Sequence, residues 1–489
     1  MNQPIRRMAV ACVVLFLALL LNATYLQFWQ ADDLNTRADN KRVRDAEFSR
    51  ERGAILVNGR SIAESRPTDN EYEYQRVYPQ PHKYAPITGY YSYIYGRSGI
   101  EQTQNEILSG SDSRLFVNRV IDMLGNQQPA GGSVSLTIRP AAQNAAWDGL
   151  AALGGDAKGA VVALEPSTGK ILAMATSPSY DPNRLASHDF RSVQRAWERL
   201  SDNPAKPTAN RAAQELFPPG STFKLITAAA ALDNGYDPDS TVPGGYRLEL
   251  PQTDRTLPND GGGNCGGDRI TLSRALQVSC NVSFGALGVE LGPEVIAEQA
   301  EAFGFGERPM SDLPAVAASQ FPTGEGNTDG PLIAYAAIGQ QSVQTSPLQI
   351  AMVAAGIANG GTVMKPYLVD EVTSPDLEVL DKTEPEALRS DAMSPANARA
   401  LTQMMVATVD SGTGTPAQIP GVAVAGKTGT AQRGDDQNPL AWFVSFAPAN
   451  DPKVAVAVMI EDAGVARTDI AGGRLAAPIA KAVMEAVLR

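Results

Sequence analysis

The stretch from residue 218 to residue 232 constrains the fold and the chemistry of this 489-residue chain more than any other. It opens with Pro218-Pro219-Gly220, which can continue neither a helix nor a strand and therefore predicts a loop. The run 222–232 is rich in good helix formers and is followed by Asp-Asn-Gly, a typical helix end. The pattern thus predicts Ser221 at the start of a helix, with Lys224 one turn further on.

This spacing has a chemical meaning. A serine hydroxyl is a weak nucleophile until a neighbouring base takes its proton, and the amine of Lys224 lies on the same helix face as Ser221. The same Ser-x-x-Lys pattern occurs at Ser167-Thr168-Gly169-Lys170, between two apolar runs. There it predicts a tight turn between two strands, so we interpret Ser167 as a turn residue.

Composition excludes several classes of function. The chain carries 41 Lys and Arg against 53 Asp and Glu, and this net charge of −12 argues against a nucleic-acid partner. Its two histidines, His82 and His188, lie in unrelated settings, and neither begins an H-E-x-x-H pattern. The Gly-rich stretch 261–267 lacks the Lys-Ser/Thr ending of a phosphate-binding loop. The sequence therefore predicts neither a metal nor a cofactor.

The three cysteines fall into two groups. Cys12 lies in the N-terminal apolar segment, whereas Cys265 and Cys280 share one stretch of the chain. If this part of the protein is exported, Cys265 and Cys280 can pair as a disulfide. Two buried free thiols are the alternative, because sequence does not show the geometry that a disulfide requires.

Residues 1–30 predict a short cytoplasmic stub and a transmembrane signal anchor. Arg6-Arg7 precede a strongly apolar run, and looser apolar character continues to Trp29, which brings the segment close to the ~20 residues that cross a bilayer. The basic flank predicts a single-pass protein of the cell membrane, with the rest of the chain extracytoplasmic. A cleaved signal peptide is the alternative, although no small-x-small site follows the apolar core.

Two further domains follow the anchor. Residues 31–132 are polar and rich in tyrosine, and predict a small pedestal domain that ends in a linker at 128–132. Residues 133–489 contain an early hairpin at 160–175 and three closely spaced strands after residue 421. Together these strands predict an α+β fold, with one five-stranded antiparallel sheet flanked by helices.

Three short motifs stand in order along the predicted third domain. They are Ser221-x-x-Lys224, Ser279-x-Asn281 and Lys427-Thr428-Gly429. Each is weak alone, but all three in this order are typical of the serine acyl-transfer enzymes that bind penicillin. Ser201-Asp202-Asn203 also spells the second motif, but it precedes the Ser-Lys helix and runs into a proline, so we interpret it as a loop.

The first two motifs predict the groups that move protons. Ser221 would attack the carbonyl carbon of a D-Ala-D-Ala peptide, and Lys224 would take its proton as a neutral amine. Ser279 could relay that proton towards the leaving amine. The side-chain amide of Asn281 could hold Lys224 and the substrate amide.

The third motif predicts the groups that bind substrate. Lys427 and Thr428 would bind the terminal carboxylate of the peptide, by charge and by hydroxyl respectively. Gly429 leaves room for a peptide to lie along the strand. The backbone N–H groups of Thr430 and Ser221 would form an oxyanion hole.

In these three motifs and their order, the chain resembles the class B (monofunctional) penicillin-binding proteins, most closely their short actinobacterial type. Further matches to the family extend over nearly the whole chain: Arg52-Gly53-x-Ile55, Gly99-Ile100-Glu101, residues 159–166, Tyr180-Asp181-Pro182-Asn183, Gly339-Gln340-Gln341 and residues 345–349. The resemblance implies a membrane anchor, a pedestal (dimerisation-like) domain, and a transpeptidase domain of the penicillin-binding and serine β-lactamase-like fold. It also implies that no metal takes part.

The resemblance further implies a substrate and a reaction. The D-Ala-D-Ala donor of one peptidoglycan stem peptide would acylate Ser221, and an amine acceptor on a neighbouring stem would resolve the ester during growth or division. β-Lactam antibiotics would inhibit the enzyme covalently. The N-terminal module is too short for a glycosyltransferase domain, so the family likeness implies a polytopic glycosyltransferase partner of the shape, elongation, division and sporulation (SEDS) family.

Other functions fit the same motifs. A β-lactamase or a D,D-carboxypeptidase would use them for hydrolysis, although no Glu-x-x-Leu-Asn-like segment follows Asn281 to activate a water molecule as in class A β-lactamases. A non-catalytic β-lactam sensor or divisome scaffold could keep Ser221 and turn nothing over. The stability of a penicillin label on Ser221 distinguishes these functions.

Overall fold

The structure is a computed structural model that describes residues 3–30, 34, 41–115, 130–155, 157–324, 330–434 and 436–489. Residues 128 and 129 of the predicted linker lie outside the described residues, as do several residues of the predicted pedestal. Within the described ranges, two β-sheets organise the chain, and the remaining strands form short two-stranded pairs.

The described strands range from two to nine residues in length. In chain order they are β1 Ile55–Val57, β2 Arg60–Pro67, β3 Tyr74–Val77, β4 Tyr91–Ser92, β5 Gly96–Arg97, β6 Ser133–Leu136, β7 Lys158–Leu164, β8 Ile171–Ser177, β9 Thr241–Pro243, β10 Arg247–Glu249, β11 Thr256–Pro258, β12 Arg269–Thr271, β13 Val363–Met364, β14 Val369–Thr373, β15 Val379–Lys382, β16 Ala387–Arg389, β17 Ala425–Ala431, β18 Leu440–Ala447 and β19 Val454–Asp462.

The helices alternate with these strands. In chain order they are α1 Gln3–Thr24, α2 Lys41–Phe48, α3 Pro81–Thr88, α4 Gly99–Thr103, α5 Asn105–Leu108, α6 Pro140–Ala151, α7 Asn183–Ala186, α8 Phe190–Ser201, α9 Lys224–Asp233, α10 Leu272–Gln277, α11 Asn281–Ala302, α12 Pro331–Ala336, α13 Pro347–Ala358, α14 Pro395–Ser411 and α15 Ala477–Leu488. Helix α1 continues as a π-helical turn, Tyr25–Trp29.

The predicted five-stranded antiparallel sheet is confirmed, in the order β17-β18-β19-β7-β8. Its middle strands are mostly apolar because both faces are covered. Along β18, Trp442 and Val444 enter a core shared with α9 and α13, whereas Ala441 and Phe443 enter a second core shared with α6 and α15. Helices therefore lie on both sides of the sheet, and β17 forms one of its edges.

A second sheet has six strands in the order β15-β14-β6-β1-β2-β3, and the sequence does not predict it. Strand β6 pairs in parallel with β1 and antiparallel with β14. Hairpin β14–β15, from late in the chain, thereby extends the sheet of the N-terminal module. Asn58 and Gly59 form the turn between β1 and β2, with φ of +49° and +70°, as is typical of an Asn-Gly hairpin turn.

A buried charge cluster holds the N-terminal module together. The carboxylate of Glu101 accepts hydrogen bonds from Arg52 Nε at 2.6 Å, Arg76 Nε at 2.7 Å and Tyr78 Oη at 3.0 Å. Burial alone would raise the pKa of Glu101, but the charges of Arg76 and Arg52 outweigh that effect and lower it. The cluster gives a physical reason for the Arg52-Gly53 and Gly99-Ile100-Glu101 matches noted in the sequence.

The N-terminal helical segment stands apart from both sheets. It runs from Gln3 to Trp29, 27 residues, and none of its side chains is buried against the rest of the protein. In length and composition it is sufficient to cross a bilayer.

The Glu101 cluster leads to a stability prediction. Replacing Glu101 with Gln keeps the shape but removes the countercharge that the buried Arg76 and Arg52 share, leaving Arg52 a longer pair with Glu47 at 3.6 Å. We therefore expect the unfolding free energy to fall by about 3–5 kcal/mol. The matched control is Glu64→Gln, which removes a more exposed pair with Arg66 and should cost no more than about 1 kcal/mol. Denaturant unfolding of the full chain in detergent measures both. Equal midpoints for the two variants would contradict the role of the cluster.

Candidate active site

The Ser221 segment is packed against the edge strand β17. Ser221 lies on a 3₁₀ turn, Gly220–Thr222, and helix α9 begins only at Lys224, two residues later than the predicted start. Gly220 has φ of +53°, and a Cβ atom there would lie 2.6 Å from the carbonyl oxygen of Thr430. Only glycine lets the turn approach β17 this closely. The close approach places Ser221, which is half-buried, beside the Lys-Thr-Gly strand.

The amine of Lys224 is fully buried. Its Nζ lies 2.8 Å from the carbonyl oxygen of Ser279, 3.3 Å from Ser279 Oγ and 2.7 Å from Asn281 Oδ1. Burial lowers the pKa of Lys224 well below its ordinary value, the charge of Lys427 lowers it further, and Asp260 acts in the opposite direction. A neutral amine, the form that can accept a proton, is therefore favoured at this position.

Ser279 links two buried amines. Lys427 Nζ donates to Ser279 Oγ at 2.8 Å and to the carbonyl oxygen of Thr428 at 2.8 Å. Ser279 itself has φ of +61°, a left-handed conformation that is strained for a non-glycine residue and persists when surrounding contacts impose it. Burial lowers the pKa of Lys427 to about 7. The hydroxyl of Ser279 thus lies between Lys427 and Lys224, and a neutral Lys224 can accept its hydrogen.

The Ser221 hydroxyl stands apart from the hydrogen bonds that connect Lys224, Ser279 and Lys427. Across the described residues, no hydrogen bond links Ser221 Oγ to Lys224 Nζ, because the lysine amine points to Ser279 and Asn281. The hydrogen bonds of catalytic groups are often long or absent until substrate binds. The serine and the lysine are one turn apart at the start of α9, in the arrangement predicted from the sequence.

The outer edge of β17 carries the third motif. Strand β17 pairs with β18 on one side only, so its other edge is open to an extended peptide. Thr428 is mostly buried, and its hydroxyl lies 2.6 Å from the hydroxyl of Thr413. A Cβ atom at Gly429 would lie 3.0 Å from Thr222 Cγ2, so glycine is also needed for packing beneath the strand.

Thr413 is a site residue that the sequence reasoning missed. It follows α14 in the stretch Ser-Gly-Thr-Gly-Thr at 411–415, and this run of small hydroxyl residues is the only local signal for it. By contact it fixes the side chain of Thr428. Nothing in the sequence indicates that the end of α14 meets β17, because the two elements meet only in the tertiary fold.

The loop behind the second motif is fastened in several places. Cys265 and Cys280 form a disulfide, one of the two alternatives that the sequence left open. Asn259 Oδ1 accepts the backbone N–H of Val282 at 3.1 Å, and Asn281 Nδ2 donates to the carbonyl oxygen of Pro258 at 3.2 Å. These contacts hold the residues on either side of Cys280 in place.

The two duplicate motifs lie elsewhere. Ser167 is in the turn between β7 and β8, as predicted, and Ser201 is the exposed last residue of α8. Within the ranges that the structure covers, no group of three or more His, Cys, Asp or Glu side chains is arranged to hold a metal ion.

Two family profiles match the chain. The family described as "Penicillin binding protein transpeptidase domain" matches residues 159–485, and the family described as "Penicillin binding protein A dimerisation domain" matches residues 52–134. The first match covers every motif of the site and all five strands of the sheet except the first residue of β7. The resemblance inferred from the motifs is therefore confirmed.

Individual relatives agree with these matches. The chain is 46% identical to the peptidoglycan D,D-transpeptidase PbpA of Mycolicibacterium smegmatis, with 100% of this chain and 99% of the relative covered. It is 44% identical to PbpA of Mycobacterium tuberculosis over the same shares of the two chains.

Solved structures share the fold. The ceftriaxone acyl-enzyme complex of penicillin-binding protein A from M. tuberculosis superimposes with a TM-score of 0.87 at 44% identity, covering 91% of this chain and 100% of the other. The D,D-transpeptidase domain from Eggerthella lenta gives 0.77 at 33% identity, covering 90% and 98%. The chain therefore belongs to the class B penicillin-binding proteins, the serine D,D-transpeptidases of peptidoglycan synthesis.

Proposed function

We propose that Ser221 is the nucleophile that this transpeptidase uses to cross-link peptidoglycan stem peptides. The observation that carries the proposal is the position of the Ser279 hydroxyl, between the buried amines of Lys224 and Lys427 and beside the turn that holds Ser221. The Ser279 hydroxyl can pass a proton to or from Lys224, and the neighbouring Lys427 can supply a positive charge for the substrate.

In the acylation step, neutral Lys224 takes the proton of Ser221 while Oγ bonds to the carbonyl carbon of the donor peptide. The developing oxyanion is held by the backbone N–H groups of Ser221 and Thr430, at a typical ~2.7–4 kcal/mol for one such donor. The bond to the terminal D-alanine then breaks. Its nitrogen receives the proton that Lys224 holds, relayed through the hydroxyl of Ser279, and Asn281 keeps the lysine amine in position.

Lys427 binds the donor's carboxylate only when it is protonated. Burial lowers its pKa to about 7, so near neutral pH the free enzyme holds a mixture of charged and uncharged Lys427. A carboxylate arriving beside it favours the charged form and raises this pKa. The hydroxyl of Thr428, fixed by Thr413, and the open edge of β17 orient the peptide at Gly429.

An acceptor amine completes the cycle, and β-lactams interrupt it. The amine of a neighbouring stem attacks the ester carbon, the C–N bond forms, and Ser221 leaves as a hydroxyl. A β-lactam keeps its expelled nitrogen tethered to the acyl group, which obstructs the acceptor. The ceftriaxone acyl-enzyme of the M. tuberculosis relative supports the same covalent chemistry for this chain.

The placement of the protein in the cell is also part of this proposal. Residues 1–30 are a cytoplasmic stub and membrane anchor, 31–132 a pedestal and 133–489 the extracytoplasmic catalytic domain. The exposed apolar segment Gln3–Trp29 and the basic pair Arg6-Arg7 support this topology. A polytopic SEDS-family glycosyltransferase polymerises the glycan, since the N-terminal module is too short for that activity.

Replacing Ser221 with Ala should abolish covalent labelling by a fluorescent penicillin, because no other hydroxyl can form the ester. Lys224→Gln should slow labelling about 10²–10⁴-fold through loss of the base. The matched control is Ser167→Ala, which alters the second Ser-x-x-Lys and should label like the wild type. Gel fluorescence against time measures all three.

Other outcomes of this experiment favour other functions. Rapid loss of label from the wild type would indicate a β-lactamase, and absence of any label would indicate a scaffold. With lipid-linked peptidoglycan as substrate, release of D-alanine without cross-linked dimers would indicate a carboxypeptidase.

The two lysines predict a bell-shaped pH profile for the second-order rate constant of penicillin acylation. Acylation falls in acid as Lys224 gains a proton, and falls in alkali as Lys427 loses one at a pKa of about 7. The alkaline limb reflects carboxylate binding, so it should disappear with a penicillin whose carboxylate is esterified. Stopped-flow rates from about pH 5 to about pH 10 test this range. If the penicillin with a free carboxylate and the esterified penicillin both lose rate in alkali, the role of Lys427 is contradicted.

The partner proposal predicts association through the membrane helix. The full chain should co-purify in detergent with a SEDS glycosyltransferase, and exchange of residues 3–29 for an unrelated single-pass helix should reduce recovery. Penicillin labelling of the exchanged protein is the control for an intact catalytic domain. Equal recovery with either helix would contradict a contact inside the membrane.

A further inference from the structure

An exposed carboxylate lies beside the second motif, two residues after Pro258, whose carbonyl oxygen accepts a hydrogen bond from Asn281. Asp260 belongs to the Gly-rich loop between β11 and β12, and it is exposed to solvent. Within the described part of the chain, no salt bridge or side-chain hydrogen bond engages this carboxylate. The carboxylate is therefore available to a ligand.

The loop is held firmly against the second motif. Asn259, the neighbour of Asp260, accepts the N–H of Val282 and donates to the carbonyl oxygens of Gly245 and Gly263 at 2.8 and 2.9 Å. Pro258 accepts from Asn281, and the Cys265–Cys280 disulfide closes the far side of the loop. Asp260 is thus fixed relative to Ser279 and Asn281 although it is exposed.

The charge of Asp260 acts on the catalytic amine. It opposes the lowering of the Lys224 pKa, so it lies within electrostatic reach of the lysine that serves Ser221. In the proposed function, Lys427 and Thr428 bind the carboxylate of the donor peptide. The carboxylate of Asp260 carries the same charge as the donor and does not attract it. A negative charge on the Asn281 side instead matches the second substrate, whose reacting group is a cationic amine near neutral pH.

We propose that Asp260 binds the ammonium group of the acceptor substrate and so determines which nucleophile resolves the acyl-enzyme. The proposal rests on the proposed function, because it requires an ester on Ser221. The negative charge of Asp260 attracts ammonium groups, so it raises their local concentration relative to uncharged nucleophiles.

The chemistry balances without a further reactant. The bound ammonium gives one proton to solvent, and the resulting amine attacks the ester carbonyl carbon. The new C–N bond forms, the bond from carbon to Ser221 Oγ breaks, and the second amine proton passes through Lys224 to Ser221 Oγ. Asp260 holds the acceptor until the ammonium gives its proton to solvent, and it is not consumed.

The test compares two nucleophiles on one acyl-enzyme. A peptide thioester ending in D-alanine acylates the full chain in detergent, and either glycinamide, an ammonium acceptor, or hydroxylamine, largely uncharged at neutral pH, resolves it. Asp260→Asn should reduce the rate constant for glycinamide about three- to tenfold and leave hydroxylamine within about twofold. Asp260→Glu should restore most of the glycinamide rate.

Asp268→Asn is the matched control, because it removes the same charge from the same loop and Asp268 is not one of the charges that shift the pKa of Lys224. It should change neither rate. Equal losses with both nucleophiles, or an equal loss in penicillin acylation, would show that Asp260 acts through Lys224 and overturn the proposal. An unchanged glycinamide rate would also overturn it. If the wild type forms no ester on Ser221, the proposed function fails as well, and absence of penicillin labelling identifies that case.

Discussion

Two buried lysine amines that share one serine hydroxyl are the constraint on which this active site depends. A buried cation is costly unless it is paired, and no carboxylate accompanies Lys224 or Lys427 among their hydrogen-bond partners. Both amines respond with lowered pKa values. Burial therefore favours a neutral Lys224, the form that the proposed acylation needs, and a Lys427 that can gain a proton when the proposed carboxylate arrives.

Several features of the surrounding fold hold these amines in place. Ser279 is held in a left-handed conformation by its neighbours, the disulfide and Asn259 fasten the adjoining loop, and Gly220 allows the Ser221 turn to meet β17. The covered five-stranded sheet supports β17 from one side and leaves its other edge open. A rigid sheet thus presents an unpaired edge to substrate without exposing the interior.

The N-terminal module is joined to the catalytic part by shared backbone pairing. Strand β6 bridges β1 from the early chain and β14 from the late chain, and the buried Glu101 cluster fixes the elements next to them. A sheet built from such distant segments resists separation of its parts better than a flexible tether would. The part of the chain that carries the open edge of β17 is therefore joined to the N-terminal module by a continuous sheet.

The sequence by itself determined the five-stranded sheet, the three motifs and their order, because closely spaced apolar strands pair with their neighbours and short motifs keep their local geometry. It also separated Ser167 and Ser201 from the site. The predicted turn at Ser167 is confirmed, whereas Ser201, predicted in a loop, is the last residue of α8. Only the tertiary structure decided that β14 and β15 complete the N-terminal sheet and that Thr413 meets Thr428. The pairing of β14 with β6 joins segments far apart in the chain. Thr413 and Thr428 are only 15 residues apart, and they meet because the chain turns back between α14 and β17, which no local pattern reveals. Only the tertiary structure shows that Cys265 and Cys280 form a disulfide and are not free thiols. The spacing of two cysteines in the sequence does not fix the distance between their side chains.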